Sequence, residues 1–203
     1  QWDTRKPTTS WLTSDVVDDD TKAELKSIEN NEKEIEERFY RELEFGTAGM
    51  RGIIGAGTNR INIYNVRRAS QGVAKYVLSN GEDAAKAGVL IGYDTRNFSR
   101  TFAEETAKVL TCAGVKTYLF PIVHSVPEVS FGIRELGCSA GVMITASHNP
   151  KEYNGYKVYG PDGGQLPPDA LMLLLPQSTA TIYLTMLSLF RLTRQKKKDC
   201  LKL

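Results

Sequence analysis

Residues 88–145 run GVLIGYDTRNFSRTFAEETAKVLTCAGVKTYLFPIVHSVPEVSFGIRELGCSAGVMIT. Three short apolar runs punctuate this stretch: Gly88–Tyr93 (GVLIGY), Val115–Phe120 (VKTYLF) and Ser139–Thr145 (SAGVMIT). Each has the length and bounding residues of a strand. Between them, Thr101–Ala113 and Val126–Leu136 read as helices. The first ends before Gly114, and the second holds Pro127 in its first turn, where a missing N–H is tolerated. Strands alternating with helices of this length predict an α/β layered domain. The third run is largely apolar and is expected to be buried on both faces.

Toward the N-terminus, Asn65–Ser79 reads as a helix with Val66, Ala69, Val73, Tyr76 and Val77 on one face, closed by Asn80-Gly81. Glu44–Gly57 (EFGTAGMRGIIGAG) carries five glycines in fourteen residues, which excludes a regular helix and predicts a loop. Asp18–Glu44 is rich in Glu and Lys, with Leu25, Ile28, Ile35, Phe39 and Leu43 at helical spacing. One or two amphipathic helices are expected there, with Asn30-Asn31 as a break. Gln1–Asp20 is polar and acidic without an apolar run, so no signal peptide is expected. Toward the C-terminus, Ser147–Gly164 is polar and glycine-rich, with a short strand at Tyr156–Tyr159.

A chain of 203 residues suits one domain, or one plus a short piece. Its apolar share of 41% and charged share of 25% argue against wholesale disorder, a collagen-like repeat and a multi-span membrane protein. Cys112, Cys138 and Cys200 are too scattered for a disulfide framework or a CxxC metal site, which suits a reducing compartment. Residues 191–203 hold six basic groups and one acid, leaving the rest of the chain at −3 out of a net +2. A nucleic-acid partner would rest on those last residues alone, and none is expected.

In open α/β sheets ligands bind at the carboxyl ends of the strands. Four polar segments fall there: Tyr93-Asp94-Thr95-Arg96, the loop with His124 and Ser125, Ala146-Ser147-His148-Asn149-Pro150, and the glycine loop with Arg51. Guanidinium groups with flexible backbone suit a phosphate. Ser147, just past a buried strand, is the best nucleophile candidate. If the segment is extended, His148 points to the opposite face and does not deprotonate it directly. Lys157 lies ten residues on, and a return through an Asn154-Gly155 turn would bring its ammonium beside the serine. Equally, Ser147 can be a turn serine, Lys157 a solvated strand lysine, and Asp94–Arg96 a surface ion pair. Arg67 and Arg68 read as a helix face with little information. No cluster has metal-ligand spacing.

Thr145-Ala146-Ser147-His148-Asn149-Pro150, followed by Tyr153-Asn154-Gly155-Tyr156-Lys157, resembles the active-site segment of the α-D-phosphohexomutases, the phosphoglucomutases and phosphomannomutases. Glu44-Phe45-Gly46-Thr47-Ala48-Gly49-Met50-Arg51-Gly52 resembles that family's N-terminal signature, and Tyr93-Asp94-Thr95-Arg96 a third segment. The pattern is most similar to the bacterial phosphoglucomutase subgroup, which also resembles phosphoglucomutase-2 and phosphopentomutase. The resemblance covers about Phe39 to Ala170.

The resemblance implies a three-layer αβα mixed-sheet domain, the first of four. It divides the chain into an N-terminal helical segment (1–45), domain I with its phosphoserine loop (46–170) and an atypical tail (171–203). It implies that Ser147 is phosphorylated, passes its phosphoryl group to a hexose phosphate, and is rephosphorylated from the resulting bisphosphate. Mg²⁺ would be held through the Ser147 phosphate, with glucose 1,6-bisphosphate as intermediate and activator. Ser147, His148, Lys157 and Arg51 are the implied catalytic residues. Thr47, Arg51, Arg96 and Lys157 are the implied phosphate and substrate contacts. The expected activity interconverts glucose 1-phosphate and glucose 6-phosphate in the cytoplasm. Mannose or pentose phosphates, or a non-catalytic phosphosugar-binding module, are the alternatives. Domains 2 to 4, with their metal, sugar and distal phosphate loops, are missing partners, so the chain alone is expected to be nearly inactive. For 171–203 a frameshifted or truncated reading frame competes with a packing helix. A membrane anchor there is weakened by Pro176, Gln177 and several Ser/Thr.

Overall fold

The computed structural model describes residues 5–47 and 49–167. Three helices come first: α1 (Arg5–Thr13), α2 (Asp19–Ser27) and α3 (Glu32–Phe39). Asp18 caps α2 by accepting from the Thr21 N–H at 2.8 Å, and Asn31 caps α3 by accepting from Glu34 N–H at 3.1 Å. The break expected at Asn30-Asn31 is therefore present. Helix α1 was not expected: five polar residues precede Trp11-Leu12 within it, and their polarity hides its apolar turn. Trp11, Val17, Leu25, Phe39, Ala56 and Tyr64 form a small core under these helices.

Two strands follow, β1 (Phe45–Gly46) and β2 (Gly49–Ile53), where the sequence suggested a loop. The glycines do not prevent pairing, because β2 is held on one side by β1 and on the other by the long strand β6 (Tyr153–Tyr159). Next come α4 (Ile63–Ser79), α5 (Glu82–Ala87), β3 (Val89–Tyr93), α6 (Ser99–Cys112), β4 (Thr117–Leu119), α7 (Val126–Glu135) and β5 (Ala140–Ile144). The six strands form one sheet in the order β1-β2-β6-β5-β3-β4. β3 runs parallel to β4 and β5, whereas β6 is antiparallel to both β5 and β2.

Side-chain alternation assigns the layers. Val89, Ile91 and Tyr93 of β3, with Ala140, Val142 and Ile144 of β5, meet α4 and α6 on one face. Leu90 and Met143 meet Val129 and Ile133 of α7 on the other. The result is an αβα sandwich on a mixed sheet, as expected, with β5 buried on both faces. Arg67 and Arg68 carry more than the helix-face reading allowed. Arg67 Nε lies 2.6 Å from Glu105 Oε2 on α6. The buried Arg68 pairs with Glu42 and donates to the Leu43 carbonyl at 2.7 Å. Both tie α4 to its surroundings through charge-assisted bonds. No described helix is long and apolar enough to cross a membrane. The tail, with its anchor and frameshift readings, lies outside the described residues.

Tyr64 joins the helical cap to α4. Its hydroxyl accepts from the Asp18 N–H at 2.8 Å and donates to the Asp18 carboxylate. Burial, then the bond to Asp18, pushes its phenol up to about 12. A folded pKa above the unfolded value near 10 contributes stability at all pH below about 10, which is lost as pH rises through about 12. The stability gap between wild type and Tyr64→Phe, measured by urea unfolding, is expected to be constant from about pH 6 to pH 10, above the titration of Asp18. It should then shrink by about 2 kcal/mol toward pH 12. A gap that does not change with pH would remove this coupling.

Candidate functional site

β3, β4 and β5 are parallel, so their carboxyl ends share one edge of the sheet. Asp94 leaves β3 there and its N–H donates to the Ile144 carbonyl at 3.2 Å. His124 follows β4 and donates its N–H to the Tyr93 carbonyl at 3.1 Å. Ser147 follows β5. The three segments are assembled as the strand order predicts.

Ser147 has a φ of +58°, in the left-handed region that a serine seldom occupies. Its N–H donates to Thr145 Oγ1 at 3.0 Å, and the Asn149 N–H donates to the Ala146 carbonyl at 3.2 Å. The chain therefore turns at Ser147 and is not extended. That turn corrects the expectation for His148: its Nδ1 lies 3.4 Å from Ser147 Oγ, and both side chains are exposed. Adjacent residues face opposite ways only in extended backbone.

Arg51 lies on β2 opposite Gly155, crosses that glycine, and donates from Nη1 to Asn149 Oδ1 at 3.0 Å. Asn154-Gly155 is thus not a turn. It lies inside β6, and the glycine serves the close passage of Arg51. The turn sits earlier, closed by the Tyr153 N–H on the Pro150 carbonyl at 3.0 Å. Lys157 returns on β6 beside Arg51. It pairs in register with Met143 on β5. Lys157 and Arg51 share a sheet face as diagonal neighbours. Burial, then the Arg51 charge, pulls the Lys157 ammonium below its ordinary range. Gly49 makes room for Lys157: it has φ +90°, and a Cβ there would lie 2.9 Å from Lys157 Cγ. Thr47 sits exposed at the β1–β2 tip, where its carbonyl accepts from Gln165 Nε2 at 3.2 Å.

Arg96, the implied phosphate contact, is bonded to the backbone of the Ser147 loop. Its Nη1 donates to the carbonyls of Pro150 (2.9 Å) and Tyr153 (3.1 Å). Its Nη2 donates to those of Ser147 (2.7 Å) and Asn149 (2.6 Å). Nε faces Asp94 Oδ2 at 3.4 Å. The pair is therefore no isolated surface contact. Behind it, Ser99 Oγ donates to Asp94 Oδ1 at 2.7 Å, and the buried Asn154 donates to Ser99 Oγ and to the Asn97 carbonyl, each at 2.9 Å. Sequence reasoning missed Asn154, because Asn-Gly signals a turn more strongly than a strand. It also missed Lys151. This ammonium lines an open cleft of about 470 Å³ between the Asp94–Asn97 turn and the Ser147 loop. Among the described residues no group of three His, Cys, Asp or Glu side chains is placed to hold a metal ion.

The site's three segments are those of a known family. The profile of the phosphoglucomutase/phosphomannomutase α/β/α domain I matches residues 42–181, running into the segment set apart above as a tail. A Staphylococcus haemolyticus phosphoglucomutase is 48% identical over 134 residues, covering 66% of this chain and 24% of that protein. A Schizosaccharomyces pombe protein provisionally named a phosphoribomutase is 54% identical over 119 residues, covering 59% and 20%. Among solved structures, a Thermus thermophilus protein bearing a provisional phosphomannomutase name superposes with a TM-score of 0.60 at 30% identity. The match covers 69% of this chain and 31% of that one. The chain spans about a quarter of the length of the curated relatives it matches.

Proposed function

The chain belongs to the phosphoglucomutase/phosphomannomutase family and carries its α/β/α domain I, and from that premise we propose that Ser147 is the phosphoryl carrier of a hexose-phosphate mutase. The observation that carries the reading is the Ser147 turn itself. A hydroxyl is held out on a left-handed backbone, with an imidazole 3.4 Å away and Arg51 anchored on the same loop. Phosphoryl transfer depends on such positioning and on charge stabilisation. The P–Oγ bond of the phosphoserine breaks as a sugar hydroxyl oxygen bonds to phosphorus, and that hydroxyl gives up its proton. His148 and Lys157 are the groups proposed to take it, and a proton from the same pair returns the departing Ser147 Oγ to a hydroxyl. Return of the second phosphoryl group to Ser147 reverses the step. Arg51 and Lys151 supply positive charge beside the loop, and Thr47 stands at the rim.

The relatives' names span glucose, ribose and mannose phosphates. Interconversion of glucose 1-phosphate and glucose 6-phosphate is the proposed reaction of the whole enzyme, in the cytoplasm, with mannose or pentose phosphates as the alternative. Magnesium would take the Ser147 phosphate as its one ligand from the described residues and its carboxylates from polypeptide beyond them. The chain spans about a quarter of its relatives' length, and domains corresponding to the rest are its proposed partners.

Intact mass with peptide mapping tests the reading. The chain purified from cells, or treated with glucose 1,6-bisphosphate, is expected to carry one phosphoryl group, on Ser147. Its turnover of glucose 1-phosphate should stay far below the roughly 1–1000 s⁻¹ of complete enzymes. A Ser147 that stays unmodified under both conditions would sink the carrier assignment.

A further inference from the structure

Resting on that reading of Ser147, we propose that Arg96 is a positioning residue that sets the reactive geometry of the serine by gathering the carbonyls of its loop, and is not a ligand of the substrate phosphate. The argument is one of donor supply. A guanidinium has five N–H groups. The four on the terminal nitrogens meet four carbonyl oxygens, those of Ser147, Asn149, Pro150 and Tyr153, at 2.6–3.1 Å. The fifth faces Asp94. A phosphate ligand needs donors to spare, and these are committed before any ligand arrives.

The same bonds explain the backbone of Ser147. Four carbonyls aimed at one point repel each other unless a cation stands between them. With Arg96 there, the Ser147 carbonyl is fixed at 2.7 Å on one side of the residue. Its N–H is fixed by Thr145 Oγ1 at 3.0 Å on the other. Both peptide planes flanking Ser147 are therefore pinned, and a positive φ of this kind persists only where its surroundings over-determine it. Arg96 is itself aimed by a relay that begins inside the sheet: Asn154 on β6 holds Ser99, Ser99 holds Asp94, and Asp94 accepts from the Arg96 N–H (3.0 Å) while its other oxygen faces Nε at 3.4 Å. Lysine cannot substitute, because a single ammonium presents three donors on one atom and no planar fork.

Hydrogen exchange by mass spectrometry on the ligand-free chain separates the two roles. The amides of Ser147, Asn149 and Tyr153 are the reporters, since each is bonded within the loop. Arg96→Lys is expected to speed their exchange at least ten-fold, while the amides of β3 and β5 keep their wild-type rates. Its affinity for glucose 1,6-bisphosphate, measured by calorimetry, should change less than two-fold. Loop exchange at the wild-type rate would overturn the proposal, and binding weakened ten-fold beside it would return Arg96 to the phosphate. If Arg96→Lys does not fold, Asp94→Asn removes the carboxylate facing Nε and is expected to speed exchange of the same three amides. A Ser147 that never carries phosphate would defeat the carrier reading and leave the exchange result to decide the role of Arg96.

Discussion

Gly155→Ala is expected to destabilise the domain by about 3 kcal/mol, toward the upper end for overpacked sites. It should also release the Ser147 loop. The added Cβ would stand 2.5 Å from the Thr145 carbonyl oxygen, and 3.0 Å from both the Met50 carbonyl oxygen and Arg51 Cγ. Two of these three are backbone atoms on opposite sides of β6. Met50 belongs to β2 and Thr145 follows β5, so β6 cannot move away from one without approaching the other. The Thr145 N–H bond to the Gly155 carbonyl, at 3.1 Å, sits at the point of the clash. Thr145 also supplies the hydroxyl that receives the Ser147 N–H. The disturbance therefore passes into the serine turn, while Arg51 loses its path to Asn149. At roughly 2–4 °C per kcal/mol for a domain of this size, the melting temperature should fall by about 10 °C. A melting curve within about 3 °C of wild type would show that the sheet absorbs the methyl group.

The sequence made β3, β4, β5 and their helices legible because each carries a signal of its own: a bounded apolar run, or an apolar face ended by glycine. It also placed Ser147 and Arg96 at one edge, since parallel strands bring their ends together whatever lies between, whereas Arg51 reaches that edge from the antiparallel strand β2. What stayed hidden depended on pairing. Strand β2 contains two glycines in five residues and becomes a strand only because β6 lies beside it. Asn154-Gly155 has turn composition yet sits mid-strand, because a buried amide has partners across the turn at Asn97 and Ser99. The relation of Ser147 to His148 hinged on one backbone dihedral, and no local pattern announces a serine at positive φ. The task of Arg96 likewise could not be seen, since its partners are carbonyls, which every residue has.

Trp11→Ala is expected to cost about 4 kcal/mol, the usual loss for a large aromatic side chain removed from a core. The case rests on where the helical cap is attached. The family match begins at residue 42, which would leave α1 to α3 as an appendage. Their contacts say otherwise. Trp11 is fully buried, and its ring meets those of Phe39 at 5.8 Å and Tyr64 at 5.1 Å, both edge to face. Tyr64 belongs to α4, so the tryptophan packs directly on the sandwich. Beside it Arg38 spans Glu24 Oε1 at 2.5 Å, Glu34 Oε1 at 2.8 Å and the Ala56 carbonyl at 3.0 Å, and Glu24 accepts from the Ala56 N–H at 3.1 Å. Those bonds hold the chain just past β2, the strand that carries Arg51. Losing the indole should therefore lower one cooperative transition for the whole body, by about 10 °C or more, and should not create a separate early melt of the helices. It should also let water reach the Tyr64 hydroxyl, so that its phenol, titrated by ultraviolet absorbance, moves from about 12 back toward its ordinary value. Two resolved transitions, with the later one unchanged from wild type, would mean that the cap folds on its own and that the sandwich does not depend on it.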